Sequence, residues 1–184
     1  MATVRDGDRS VLLVVDVQNG VMKDAWDAPR IISNVACAVE RARAARAPVI
    51  WVQHADDELP RESPEWEIVP QLVPAGGEPR IHKSFNSAFE DTNLDDALAQ
   101  VGATRIVLTG AATNWCIRAS AYGALDRGYD LTLIRDGHTT GAMELGDGVA
   151  VDAESVVNDL NAVMTWVTYP GRSSSTAAAE DLDL

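Results

Sequence analysis

Short, unbroken apolar runs recur along this chain, each followed by a stretch of helical periodicity. That alternation limits the fold more than any other feature. The runs are Val11–Val15, Val49–Val52, Ile106–Leu108, Leu131–Ile134 and Val163–Val167, with a short extended piece over Arg80–His82. They are continuous rather than alternating, the pattern of strands buried on both faces of a parallel sheet. Between the first two runs, Ile31, Val35, Ala38, Val39 and Ala42 form a helical stripe, which Pro48 closes off. Thr92 and Asp95 read as a capping box opening a helix over Leu94–Val101, with Gly102 ending it. Further helices are expected from Cys116 to about Arg127, with Gly128 as the stop signal, and over Ala153–Ala162. The expected fold is α/β: a doubly wound, mostly parallel six-stranded sheet with helices on both faces, three-layered and Rossmann-like. In such sheets function gathers at the carboxyl ends of the strands.

With 184 residues, 46% of them hydrophobic, the chain can bury one core, and a single domain is expected over residues 1–170. The Ser-, Ala- and Asp-rich tail, 171–184, reads as disordered. The long connection from His54 to Pro79 carries Trp66 and Ile68, which argue for an ordered lid. A net charge of −13 leaves no basic face for nucleic acid. No apolar run approaches the length of a membrane span, and the first residues are polar and charged, unlike a secretory signal. Cys37 and Cys116 form no disulfide framework, so a reduced, cytoplasmic setting is expected.

Cys116 follows the third run through the small-residue turn Gly110-Ala111-Ala112-Thr113-Asn114-Trp115. A thiol delivered at the start of a helix gains from the positive end of that helix, which favours thiolate. The turn's N–H groups can also hold a developing oxyanion. Asp16 ends the first run, and Lys83 follows the short extended piece. Singly, these residues read as a loop cap, a solvated lysine and an inert buried cysteine. Together they follow three strands of one sheet and can converge on one crevice. Cys37 lies off the apolar stripe of its helix and is read as structural.

At these residues the chain resembles the isochorismatase-like cysteine hydrolase superfamily, which includes nicotinamidases and N-carbamoyl amidases. The motifs are Asp16-Val17-Gln18, Lys83 with Ser87-Ala88-Phe89, and Gly110 through Thr113 to Cys116. The resemblance implies a triad in which Cys116 attacks a carbonyl, Asp16 moves the proton and Lys83 holds the cluster. It implies a cis peptide at Ala111-Ala112, with the Ala112 and Cys116 N–H groups as the oxyanion hole. Around the substrate it places Gln18, Val21, Trp66, Phe89, Asn114 and Trp115, with Trp26 a further candidate for an aromatic wall. Nicotinamidases carry an Asp-x-His and a second His that bind metal. Here the segment reads Gln53-His54-Ala55-Asp56, with the next histidine at His82, so no metal and no cofactor are expected. His54 reads as a pocket or loop residue, and His138, after the fifth strand, either lines the pocket or makes a loop hydrogen bond. The expected activity is C–N hydrolysis of a small amide, lactam, carbamoyl or ureido compound through a thioester, by a homo-oligomer. Ester or isochorismate-type C–O hydrolysis, or a silent binding or scaffold role, stand as alternatives.

Overall fold

A computed structural model describes residues 2–184. In chain order it contains β1 (Ser10–Val15), α1 (Asn19–Met22), α2 (Ala28–Ala44), β2 (Val49–His54), β3 (Arg80–Lys83), α3 (Leu94–Gln100) and β4 (Arg105–Ala111). A π-helical turn, Thr113–Ile117, leads into α4 (Arg118–Asp126). Then come β5 (Asp130–Thr139), the hairpin strands β6 (Met143–Gly146) and β7 (Val149–Val151), α5 (Ala153–Trp166), β8 (Ser174–Ala177) and a 3-10 turn at Ala179–Asp181. Six strands form one sheet in the order β3-β2-β1-β4-β5-β8, every pair parallel. This is the expected architecture.

The apolar runs form strands because both their faces are covered. One face packs Leu13, Ile50, Ile106 and Leu133 against Leu98 of α3, Leu125 of α4 and Leu160 of α5. The other packs Leu12, Val14, Trp51 and Val107 against Val35, Ala38 and Val39 of α2. β1 and β4 press together at Gly110, whose φ is +125°, and a Cβ there would lie 1.9 Å from the Val15 carbonyl oxygen. Only glycine fits, so the turn to the cysteine starts against the exit of β1.

Three expectations are corrected. Val163–Val167 is not a strand but lies at and just beyond the end of α5, which runs on to Trp166. Its continuous apolar run suggests a strand, yet Val156, Val157, Leu160 and Met164 form a helical stripe, and Trp166 is 80% exposed. The sixth strand lies instead in the tail read as disordered. Ser174–Ala177 pairs with Leu131–Ile134, and Ser175 meets the Thr132 hydroxyl at 3.2 Å. An edge strand is held by its backbone ladder and needs no apolar run of its own, so the ordered fold passes residue 170. The third concerns α3, where Thr92 does not form a capping box. Its hydroxyl donates to the Ala88 carbonyl and accepts from Leu94 N–H, and Asn93 takes the cap position without a side-chain bond.

The long connection is ordered and lies across the exit of β1. Its backbone binds Val17, Asn19 and Gly20 through Val69 N–H, Glu67 carbonyl and Glu65 carbonyl, at 3.1, 2.9 and 2.8 Å.

Candidate active site

Asp16 is the first residue past β1, Lys83 the last residue of β3, and Cys116 sits in the π-helical turn after β4. In the sheet order these strands lie close together at their carboxyl ends, and the sequence brings all three side chains to one point. Lys83 Nζ lies 2.7 Å from Asp16 Oδ2 and donates to Cys116 Sγ at 3.1 Å. It also donates to the Phe85 carbonyl at 3.2 Å. Asp16 and Lys83 are buried, and Cys116 retains 9% exposure, enough for approach from one side. Asp16 takes up a left-handed backbone conformation with φ +53°, a sparsely populated region for a non-glycine residue and one that turns the chain sharply out of β1. Its ion pair with Lys83 is off the hydrogen-bond direction, and the Cys116 side chain also faces the carboxylate.

The electrostatics follow from burial. Desolvation raises the Asp16 carboxyl above its ordinary range, only partly offset by Lys83. Cys116 is pushed up to about 12, first by burial and then by the Asp16 charge, with Lys83 opposing. Burial acts to lower Lys83, but Asp16 and Cys116 outweigh it and hold the ammonium above its ordinary value. At rest the cluster is therefore a neutral thiol beside a buried ion pair whose carboxylate is unusually basic. This corrects the expectation of a thiolate favoured by a helix end. Cys116 lies inside a tight turn, where burial and the facing Asp16 charge both favour the neutral thiol. Alkylation by iodoacetamide near neutral pH should accordingly be slow.

The Ala111-Ala112 peptide is cis, as the resemblance implied. The Ala112 carbonyl accepts from Trp115 N–H and Ile117 N–H, both at 3.1 Å, which closes the turn around the cysteine. Behind the turn, Thr113 Oγ1 bonds His138 Nδ1 at 2.9 Å, and His138 Nε2 bonds Asn161 Oδ1 at 3.0 Å. His138 is thus a buried hydrogen-bonding residue that supports the turn.

The expected substrate-contacting residues divide. Asn114 and Trp115 are in the π-helical turn, and Trp115, next to Cys116 in the chain, is 54% exposed. Asn114 is anchored by Thr140, whose hydroxyl donates to Oδ1 at 2.6 Å, and by Met143 Sδ. Gln18 is not available to substrate: its Nε2 donates to the His54 and Trp66 carbonyls, and its Oε1 accepts from His54 N–H. It clamps the long connection onto β2. Phe89 is buried beside Tyr129 and under Arg127, so it packs the core. Val21 packs against the α2-side core. The ring of Trp66 lies 5.4 Å from that of His82. Trp26 sits under the Arg30 guanidinium and meets Thr140 through its backbone. The sequence leaves the partners of His54 unread: Nδ1 lies 3.3 Å from Lys83 Nζ, and Nε2 lies 2.9 Å from Asp56 Oδ2. The available signal was its place at the carboxyl end of the strand between those of Asp16 and Lys83.

The chain is similar to known proteins over most of its length. Residues 10–166 match the Isochorismatase domain. A streptothricin hydrolase from Streptomyces noursei is 32% identical over 146 residues, covering 76% of this chain and 58% of that protein. The chain thus spans less than two thirds of that relative's length. The ureidoacrylate amidohydrolase RutB of Methylobacterium radiotolerans is 27% identical across 96% of this chain and 85% of its own. Among solved structures, an isochorismatase from Pseudomonas putida KT2440 superimposes with a TM-score of 0.83 at 24% identity, over 98% of this chain and 96% of that one.

Proposed function

Because the chain belongs to the isochorismatase-like cysteine hydrolase superfamily, we propose that it hydrolyses a C–N bond of a small amide, lactam, carbamoyl or ureido compound through a Cys116 thioester. The observation that carries this is Lys83 Nζ standing 2.7 Å from Asp16 and 3.1 Å from Cys116 Sγ in a buried cluster. The amidohydrolase activity named for the RutB relative supports the choice of a C–N bond.

The burial-raised Asp16 carboxylate takes the thiol proton as Sγ bonds to the substrate carbonyl carbon. The Lys83 ammonium offsets the negative charge that passes from carboxylate to sulfur. The Ala112 and Cys116 N–H groups receive the carbonyl oxygen as it becomes an oxyanion. Collapse of the adduct breaks the C–N bond, and Asp16 returns the proton to the departing nitrogen. Water then adds to the thioester, giving a proton to Asp16. The C–S bond breaks, and the thiol regains that proton. Trp115, Asn114 and Trp66 are proposed to wall the substrate. The reaction is proposed to need no metal, since both ring nitrogens of His54 are engaged, by Lys83 and by Asp56. A homo-oligomer is proposed as the working form.

The test is a panel of small amides, ureido and carbamoyl compounds with matched esters and a vinyl ether, assayed for released ammonia, amine or alcohol. Turnover of a C–N substrate that survives exhaustive chelation and disappears in Cys116→Ala is expected. Turnover confined to the esters or the vinyl ether, or retained by Cys116→Ala, would overturn the assignment.

A further inference from the structure

A lysine ammonium carries three protons. Lys83 Nζ lies 2.7 Å from Asp16 Oδ2, an ion-pair contact off the hydrogen-bond direction, and has one acceptor for each proton: Cys116 Sγ at 3.1 Å, the Phe85 carbonyl at 3.2 Å and His54 Nδ1 at 3.3 Å. Asp16 and Cys116 are the reacting groups and Phe85 is main chain. His54 is the remaining side chain on the ammonium. The parallel pairing of β2 with β3 sets His54 opposite Lys83, so the contact is fixed by the sheet register.

Asp56 determines what that contact is. Its Oδ2 lies 2.9 Å from His54 Nε2, while its Oδ1 accepts from Glu58 and Leu59 N–H at 2.9 and 2.8 Å. A carboxylate so held is an acceptor and requires the ring proton on Nε2, which leaves the Nδ1 lone pair facing Lys83. Side-chain exposure rises along this line, from 0% at Lys83 to 18% at His54 and 45% at Asp56. The chain ends in an anchored surface loop, not in the reaction cavity.

We infer that His54, set in one tautomer by Asp56, is a positioning residue that aims the Lys83 ammonium at Asp16 and Cys116. This rests on the triad reading above. Without the Nδ1 acceptor, one ammonium proton loses its partner in a buried site, and Nζ moves to satisfy it. The thiolate then loses part of its stabilisation, and Cys116 ionises less readily.

The experiment needs no substrate: the second-order rate of Cys116 alkylation by iodoacetamide, read by peptide mass spectrometry at one alkaline pH. His54→Ala is expected to slow it about tenfold, the consequence of roughly one unit in the thiol pKa. His54→Asn presents an amide oxygen near the place of Nδ1 and is expected to recover to within about threefold of wild type. Asp56→Asn should slow it by a smaller factor, and adding it to His54→Ala should cost nothing more, since Asp56 acts through His54. Thermal unfolding of each variant shows that the fold is intact. An alkylation rate in His54→Ala equal to wild type, or an Asn variant no faster than the Ala one, would overturn the inference. Lys83→Ala is the control on the underlying reading. If it too alkylates at the wild-type rate, the role given to Lys83 fails. If it is slow while His54→Ala is not, only the role of His54 fails.

Discussion

Two buried polar clusters flank the π-helical turn that carries Cys116, and they are built on opposite terms. Around His138 each polar atom has a partner: Thr113 bonds Nδ1, Nε2 donates to Asn161, and the Asn161 amide donates to the Arg135 carbonyl at 2.9 Å. Burial pushes His138 down to about 4, so it stays neutral and the cluster holds no charge that must be balanced. Around Cys116 a carboxylate and an ammonium are buried together, the carboxylate oxygens lack hydrogen bonds of good direction, and the thiol is held far above its ordinary value. A satisfied neutral network rigidifies a fold. A strained charged one holds proton affinities apart from their resting values, which is what acid–base chemistry requires. The comparison assigns stability to the first cluster and turnover to the second, and each assignment can be broken.

The largest effect should come from Cys116→Ala, which is expected to remove turnover by more than about 10³-fold, the scale of losing a covalent nucleophile. Cys37→Ala, on the half-buried side of α2, should leave the rate within about twofold. A steady-state assay on a C–N substrate decides between them, and comparable losses would dissolve the distinction. Asp16→Asn and Lys83→Ala should each cost about 10²-fold or more in kcat. A rate within about threefold of wild type, with the fold intact, would exclude that residue from the chemistry.

The double variant Asp16→Asn, Lys83→Met should be inactive yet unfold in urea at the same or higher concentration than wild type. Removing a buried ion pair as a unit relieves desolvation that its attraction only partly repays. A clear loss of stability would show that the Asp16–Lys83 pair serves the fold.

For His138 the sign runs the other way. Its folded pKa lies below its ordinary 6.5, so its contribution is full above that pH and is lost as pH falls toward about 4. Over that window the fold should lose roughly 3 kcal/mol from this group. Urea unfolding at about pH 7 and pH 5 should show a larger fall for wild type than for His138→Gln, whose kcat at pH 7 should change by less than about tenfold. Equal falls in both proteins would remove His138 from the acid response.

The smallest effect concerns the approach to the site. Asp57, Glu58, Glu62, Glu65 and Glu67 are exposed on the long connection against Arg61. Cationic or neutral amides should exceed matched anionic ones in kcat/KM by a few-fold at about 20 mM salt, narrowing at about 200 mM. An anionic substrate winning at low salt would dispose of the idea.

Most of the sheet and the positions of Asp16, Lys83 and Cys116 at the strand ends were legible in the sequence, because each depended on a local signal: an apolar run, a polar residue where it stops, a turn of small residues. β8 was not, because Ser174–Ala177 has no apolar signature and is a strand only through its ladder to β5. Val163–Val167 misled for the converse reason, since a short apolar run serves a helix face as readily as a strand when the core lies on one side. Gln18 belonged to a motif and so read as a substrate contact. Its amide is spent on the backbone of two other segments, which no spacing along the chain reveals.

The sequence by itself determined which residues are apolar, where strands must end and which reactive groups stand at those ends. That is enough to place Asp16, Lys83 and Cys116 on one edge. Only the tertiary structure decided their state. Whether Cys116 is a thiolate or a thiol near 12 depends on how much water burial removes and on the 2.7 Å between Lys83 and Asp16. The link from Lys83 through His54 to Asp56 likewise exists only because β2 and β3 pair in one register. Charge energies depend on separation and on the surrounding medium, and both are properties of the packed chain rather than of the order of its residues.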